Sequence, residues 1–303
     1  MTIRFDNRVA IVTGAGSGLG RSHALLLAER GARVVVNDPG RALDGSGDSH
    51  SAADQVVAEI KARGGTAVAN YGSVSDPAAA ERLIADALQV FGGLDILVNN
   101  AGILRDKTFA KLSLEDFRAV IDVHLMGSVY CTWYAWPHLK ERGYGRIIMT
   151  SSGAGLFGNF GQSNYGAAKM ALVGLMNVLK LEGLKSGILV NSVSPIAVTR
   201  MTEAHTPESL LPYLKPEMVS SAVAYLASEE CRVTGHVISA GAGYFSRTQV
   251  LEGAGVCVDP AVAADPDTVA SNFDRICDLS NAVFLSSAPE FIDRATRRFA
   301  KAR

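Results

Sequence analysis

The stretch VAIVTGAGSGLGRSHALLLAERG, residues 9–31, decides the fold. It opens on a short apolar run, VAIVT, of the kind that fills a fully buried strand. Thr13-Gly14-Ala15-Gly16-Ser17-Gly18-Leu19-Gly20 follows, and then RSHALLLAERG, whose apolar residues recur at helical spacing. A glycine-rich turn between strand and helix lets backbone amides come close to a phosphate, and the helix N-terminus adds its positive end. Gly14, Gly18 and Gly20 carry this reading, with Ser17 and Leu19 in the same turn. Such a turn alone often serves only chain reversal. Its place directly after a strand and at the mouth of a helix points to a dinucleotide pyrophosphate.

Outward from this stretch the pattern repeats. Apolar runs at 32–38, 66–71, 94–102, 145–152, 188–195 and 236–243 are rich in Val, Ile and Leu. Their apolar character is continuous, as in a parallel sheet covered on both faces. Helical patterns at 51–63, 77–91, 114–141, 163–186 and 216–228 lie between them. The alternation predicts an α/β chain: a Rossmann-type, doubly wound, seven-stranded parallel sheet with helices on both faces. Residues 1–245 read as one dinucleotide-binding catalytic domain, and 246–303 as a C-terminal extension expected to pack on it. GRALDGSGDSHS (40–51) is a long polar βα connection, a candidate functional loop.

Composition narrows the function classes. The chain has 303 residues, 48% hydrophobic and 19% charged, enough to bury a large core. A formal net charge of −1 with no basic run argues against a nucleic-acid partner. Cys131, Cys231, Cys257 and Cys277 lie far apart with no CxxC pair. That spacing predicts neither a metal site nor a disulfide framework and suits a reducing compartment. MTIRFDNRVAIVTG runs straight into the first strand, and no run of about 18 apolar residues occurs. A cytoplasmic protein without a membrane span is expected.

The second strand closes on Asp38, eighteen residues after Gly20. A carboxylate there accepts hydrogen bonds from a ribose 2′-hydroxyl and repels a 2′-phosphate, which favours NAD. Asp38 also heads a Pro-Gly turn, and Arg41 is nearby. The end of the fourth strand, LVNNAG, offers the amides of Asn100 and Ala101 and the close-approach Gly102 beside the cofactor.

Ser152 closes the fifth strand, and Tyr165 and Lys169 stand at i and i+4, on one helix face. A phenol ordinarily titrates near 10; lowering it by about three units takes roughly 4 kcal/mol of preferential stabilisation of the phenolate. A lysine ammonium and an oxidised nicotinamide, both cationic, would supply that in a desolvated cleft. The serine hydroxyl would hold the substrate oxygen for proton exchange with the tyrosine. Singly, each of the three reads as an ordinary surface or turn residue. Together, behind a glycine turn, they make a catalytic set.

TGAGSGLG, NNAG and the set Ser152, Tyr165, Lys169 resemble the short-chain dehydrogenase/reductase family over about residues 1–245. The resemblance implies a tyrosine acid/base, a serine substrate anchor and a lysine that binds the nicotinamide ribose. It also implies cofactor contacts at Ser73, Val74, Pro195 and Thr199. VVNDPG, NNAGILRDKTFAKLS, YGRIIMTSSGAGLFGNFGQSNYGAAK and RICDLSNA resemble more narrowly the (3R)-hydroxyacyl-CoA dehydrogenase units of multifunctional β-oxidation enzymes. That likeness runs into the C-terminal extension. It implies an acyl-CoA substrate and a dimer. NAD is expected from Asp38, a steroid-derived acyl group is one alternative, and the expected assembly is a homodimer or homotetramer.

The sequence departs from the broad family at three places. His124 in VHLMG stands where the family has asparagine, and is either part of a proton relay or a core-facing histidine. Ser73 stands where an aspartate is common, and Pro195-Ile196 replaces a Pro-Gly. The stretch 196–215 is expected to be the substrate lid, with Arg105 and Lys107 as candidate partners for CoA phosphates. Other readings stay open: a hydroxysteroid or other secondary-alcohol dehydrogenase, a 3-oxoacyl-thioester reductase, or a nucleotide-sensing binding protein without turnover.

Overall fold

The computed structural model describes residues 2–40, 50–197 and 207–300, with side chains to 297. Among them the strands are β1 (Val9–Thr13), β2 (Arg33–Asn37), β3 (Thr66–Asn70) and β4 (Ile96–Asn99). They continue with β5 (Gly145–Thr150), β6 (Ile188–Pro195), β7 (Val237–Gly241) and β8 (Tyr244–Thr248). They form one sheet in the order β3-β2-β1-β4-β5-β6-β7-β8. Parallel pairing joins β1 to both β2 and β4, with Ala10 opposite Val34 on one side and Ile96 on the other. The chain thus reverses its winding between β1 and β4. Ligands of doubly wound sheets lie beyond the strand ends at such a switch point.

Helices α1 (Gly18–Glu29), α2 (Ser51–Ala62) and α8 (Pro216–Ala227) cover one face of the sheet. Helices α3 (Pro77–Phe91), α5 (Gly127–Arg142) and α7 (Ser163–Gly183) cover the other. The period-2 geometry of a strand sends alternate β1 side chains to the two sides. Ala10 and Val12 join Leu27, Ile60 and Val223 in one core, while Val9 and Ile11 join Leu83, Leu139 and Met176 in the other. Each fully buried Val, Leu or Ile contributes about 1.5–3 kcal/mol. That is why the strands read as continuous apolar runs.

The expected seven strands are eight. Ala242 (φ 52°) and Gly243 (φ 74°) form a two-residue left-handed turn, and β8 runs back beside β7 from it. Alanine seldom takes positive φ, so nothing in GAG announced a hairpin. The expected single helix over 114–141 is also divided: α4 (Leu114–Ile121) and α5 flank a π-turn, Asp122–Met126.

The chain divides into two compact units, Met1–Arg247 and Thr248–Arg303. The second carries three short helices, α9 (Pro266–Ser271), α10 (Phe273–Ile276) and α11 (Ala288–Ala300). An isolated antiparallel bridge joins Glu252 to Val283, and none of the unit's described residues is buried. Among the described residues no helix is long and apolar enough to cross a membrane.

Candidate active site

A cavity of about 860 Å³ opens beyond the carboxyl ends of β1, β4 and β5. Its floor is the glycine turn. Gly14 (φ 61°) and Gly18 (φ 54°) lie in the left-handed region, which glycine alone enters freely. At Gly20 a Cβ would come within 2.2 Å of the Gly14 carbonyl oxygen, so only glycine lets the helix start this close to the strand. Arg21 N–H donates to Ser17 O at 3.1 Å. The amides of Gly18, Leu19 and Gly20 precede this first helical bond and stand at the cavity wall.

Neighbouring strand ends brace the turn. Asn100 Nδ2 donates to Thr13 O (2.9 Å) and Gly14 O (3.1 Å). The Asn100 and Ala101 amides donate to Thr13 Oγ1 at 3.0 and 3.1 Å. The Asn100 side chain is therefore spent on the loop, and Ala101 and Gly102 line the cavity beside it. Asp38 follows β2 directly; its carboxylate accepts from Gly16 N–H (2.8 Å) and Gly40 N–H (2.7 Å). Asn37, buried under it, donates to Asn70 Oδ1 and Gly72 O, both at 2.8 Å, tying the ends of β2 and β3 together. Ser73 and Val74 line the same side, and Pro195 the opposite one. Ile196 does not adopt positive φ; its N–H continues the sheet by donating to Ala240 O at 2.8 Å. Thr199, residues 198–206 of the expected lid, and Arg41 with the rest of the 41–49 loop lie outside the described residues.

Ser152, Tyr165, Lys169 and His124 meet on the far wall. Ser152 is not the end of a strand, as its position after an apolar run suggested. It caps the short helix α6 (Gly153–Phe157), with Oγ accepting from Ala154 N–H at 3.2 Å. Tyr165 and Lys169 share a face of α7, with the Lys169 Nζ 5.5 Å from the phenol ring centroid. Lys169 is buried and donates to Thr150 O at 2.6 Å. Burial brings its pKa down to about 7. Burial pushes the Tyr165 phenol above its ordinary value; a hydrogen bond with Ser152 pulls it down, and the Asp106 charge raises it. The protein alone thus keeps this tyrosine protonated; the expected lowering was assigned to the lysine and an oxidised nicotinamide together.

His124 sits in the π-turn, an irregularity that recurs at functional sites. Its ring stands edge-on to Tyr165, with centroids 5.2 Å apart. Nε2 is 2.8 Å from Ile103 O and 3.1 Å from Ile103 N, while Nδ1 has no protein partner. Burial first, and the Lys169 charge second, hold its pKa well below the usual histidine value, so the ring is neutral. Gly102 makes room for it: a Cβ there would lie 2.3 Å from Cε1.

Arg105 and Lys107, the expected basic rim, share the Asp116 carboxylate at 2.8 and 3.0 Å, which offsets one of their two charges. Asn164, which the sequence did not single out, is fully buried. It donates to Arg105 O (3.0 Å) and accepts from Tyr165 N–H (2.8 Å), fixing the start of α7 against the loop after β4. A buried polar residue next to the tyrosine was the available signal.

A nicotinamide dinucleotide fits this site: open amides and left-handed glycines lie at one end, and a carboxylate with fixed oxygens stands beside them. The family comparison agrees. A family model described as short chain dehydrogenase matches residues 8–209. The peroxisomal multifunctional enzyme type 2 of Mus musculus is 48% identical over 97% of this chain, which spans 39% of that protein. The full-length enzyme of that name from Drosophila melanogaster superposes with a TM-score of 0.84 at 41% identity, over 99% of this chain and 51% of that one. A 7α-hydroxysteroid dehydrogenase complexed with NADH and 7-oxo glycochenodeoxycholic acid reaches 0.72 at 27% identity, over 79% and 95%. The chain spans about two fifths to half the length of these multifunctional relatives. A match of this extent makes the chain a member of the short-chain dehydrogenase family, a nicotinamide-dependent oxidoreductase acting on CH–OH groups.

Proposed function

We propose that the chain oxidises the 3-hydroxyl of a (3R)-hydroxyacyl-CoA to the 3-ketone with NAD. The observation that carries the reading is the likeness to peroxisomal multifunctional enzymes type 2 along nearly the whole chain, extension included. Asp38 supports NAD: both its oxygens are held in place, and a 2′-phosphate would meet a fixed negative charge. The amides of Gly18, Leu19 and Gly20 bind the pyrophosphate, and Ser73, Val74, Ala101, Gly102 and Pro195 surround the rest of the cofactor. Thr199 belongs to the same proposed set.

When bound, the oxidised nicotinamide supplies the hydride acceptor and a positive charge. Ser152 holds the substrate hydroxyl, and Tyr165 takes its proton as the carbinol carbon gives up hydride. Burial keeps the phenol protonated in the free protein, so the base forms only when positive charge enters the cleft. Lys169, anchored on Thr150 O, would bind the ribose hydroxyls, and its ammonium, when charged, favours the Tyr165 phenolate. His124, neutral and with Nδ1 unpaired, positions the phenol ring and gives the proton a way out.

A homodimer or homotetramer suits the surface. Trp133 on α5 and Val178 and Leu181 on α7 are all more than half exposed, as apolar side chains covered by a second copy would be. Four unpaired thiols suit a reducing compartment such as the cytoplasm.

The test is NADH formation with a panel of (3R)-hydroxyacyl-CoAs, hydroxysteroids and plain secondary alcohols. Turnover confined to the thioesters supports the reading. Turnover of hydroxysteroids alone would replace it with the activity named for the NADH-bound relative.

A further inference from the structure

The cavity wall next to Tyr165 carries a polar chain that the mechanism above does not use. Gln162 is the N-cap residue of α7, three residues before the tyrosine, and lines the cavity together with Asn159 and Phe157. Its two amide ends are both fixed. Oε1 accepts from Asn159 Nδ2 at 2.9 Å, and Nε2 donates to Asp106 Oδ2 at 2.6 Å. A carboxylate can only accept, so the amide nitrogen must face Asp106 and the amide has one orientation.

The backbone enforces the same geometry. Gly158 (φ 85°) and Gly161 (φ 82°) are both left-handed, and between them the chain turns Phe160 outward, 89% exposed, while Asn159 and Gln162 stay on the cavity side. The loop carrying Asp106 is itself held to α7 by Asn164 Nδ2 on Arg105 O.

An amide nitrogen has two hydrogens, and Asp106 takes one. The second belongs to a donor polarised by a carboxylate, and such chains strengthen one another. We propose that Gln162, oriented by Asp106 and Asn159, donates this hydrogen to the thioester carbonyl oxygen of the substrate and so selects β-hydroxy thioesters over plain alcohols. The inference rests on the (3R)-hydroxyacyl-CoA reading and makes it specific. With the carbinol oxygen on Ser152 and Tyr165, a 3-hydroxyacyl thioester presents a second acceptor oxygen two carbons from the reacting carbon. A plain secondary alcohol has none there. Asn159 gives one amide hydrogen to Gln162 and Lys169 is anchored on Thr150 O; of the two amides, Gln162 is the one that donates to a carboxylate.

Gln162→Leu and Asp106→Asn test this with (3R)-hydroxyoctanoyl-CoA and its thioether analogue, in which a methylene replaces the thioester carbonyl. The first is followed by NADH formation, the second by competitive inhibition, and NADH affinity by its fluorescence. Gln162→Leu should lower kcat/KM for the thioester about 10- to 100-fold, with thioether affinity and NADH affinity moving less than about threefold. Asp106→Asn keeps an acceptor for Gln162 but removes the charge, and should give a smaller loss of the same kind, about threefold to tenfold. A thioester loss below threefold in Gln162→Leu overturns the inference. So does an equal loss for thioether or NADH, which would mark a purely structural role. Should Gln162→Leu fail to fold, an unchanged thioester kcat/KM in Asp106→Asn overturns it instead. A wild-type protein inert on the thioester would remove the functional reading, and the inference with it.

Discussion

At the scale of single residues, the site depends on two acidic protons that burial treats in opposite ways. Burial favours the neutral form of every group, so it raises the Tyr165 phenol and lowers the Lys169 ammonium to about 7. A positive ring arriving in the cleft favours the Tyr165 phenolate and disfavours the Lys169 ammonium still further. Tyr165→Phe removes the proton carrier while keeping the ring against His124. We expect turnover to fall at least 10²- to 10⁴-fold, with NADH affinity within a few-fold of wild type, measured by fluorescence titration. Near-normal turnover would end the tyrosine mechanism. At the other end of the cavity, Asp38→Ala deletes the carboxylate while the Gly16 and Gly40 amides lose their acceptor. KM for NAD should rise about 10- to 100-fold and the preference over NADP shrink by a similar factor. An unchanged preference would mean that Asp38 serves only to fold the glycine turn.

At the scale of elements, the turn between β1 and α1 leaves no room for a side chain at Gly20. A Cβ would lie 2.2 Å from Gly14 O and 2.5 Å from the Asn100 amide nitrogen, both parts of the brace. Gly20→Ala must therefore push α1 away from β4. NADH affinity should drop about tenfold or more, and thermal unfolding should shift down by several degrees, as for a loss of about 1–3 kcal/mol. A variant with wild-type affinity would show that the turn is looser than drawn. This element was legible because its glycines are forced by local geometry, and the parallel sheet was legible from apolar runs that need cover on both faces. The π-turn at His124 was not, since inserting one extra residue into a helix leaves the apolar spacing of 114–141 nearly intact. Ser152 was misplaced for a related reason: TSS continues an extended chain, and only the cap contact to Ala154 N–H shows that a helix begins. Nor could the pairing of Arg105 and Lys107 with Asp116 be read, because it joins a loop to a helix over nine to eleven residues.

At the scale of the whole molecule, the first unit is held by two cores, and one of them closes over a titratable group. His23 on α1 is buried against α8. Its Nδ1 lies 2.7 Å from Ser220 Oγ, which in turn donates to Ser22 Oγ at 2.7 Å, and Nε2 has no partner. Desolvation takes its pKa from 6.5 to about 3. A histidine depressed in the fold binds its proton more readily when unfolded, so acid favours unfolding. The stability His23 lends is complete above pH 6.5 and is lost as pH falls towards about 3. Over that window the loss amounts to a few kcal/mol, a large part of what holds a domain together. His124 acts in the same direction. The prediction is a chain that weakens steeply in mild acid while α1 and α8 stay paired at neutral pH. His23→Gln keeps a hydrogen-bonding side chain but cannot titrate. Its unfolding free energy in urea should change by about 3 kcal/mol less than that of wild type between about pH 7 and pH 4. Parallel curves for the two proteins would mean that His23 is open to water and that the α1–α8 contact is not the closed core it forms here.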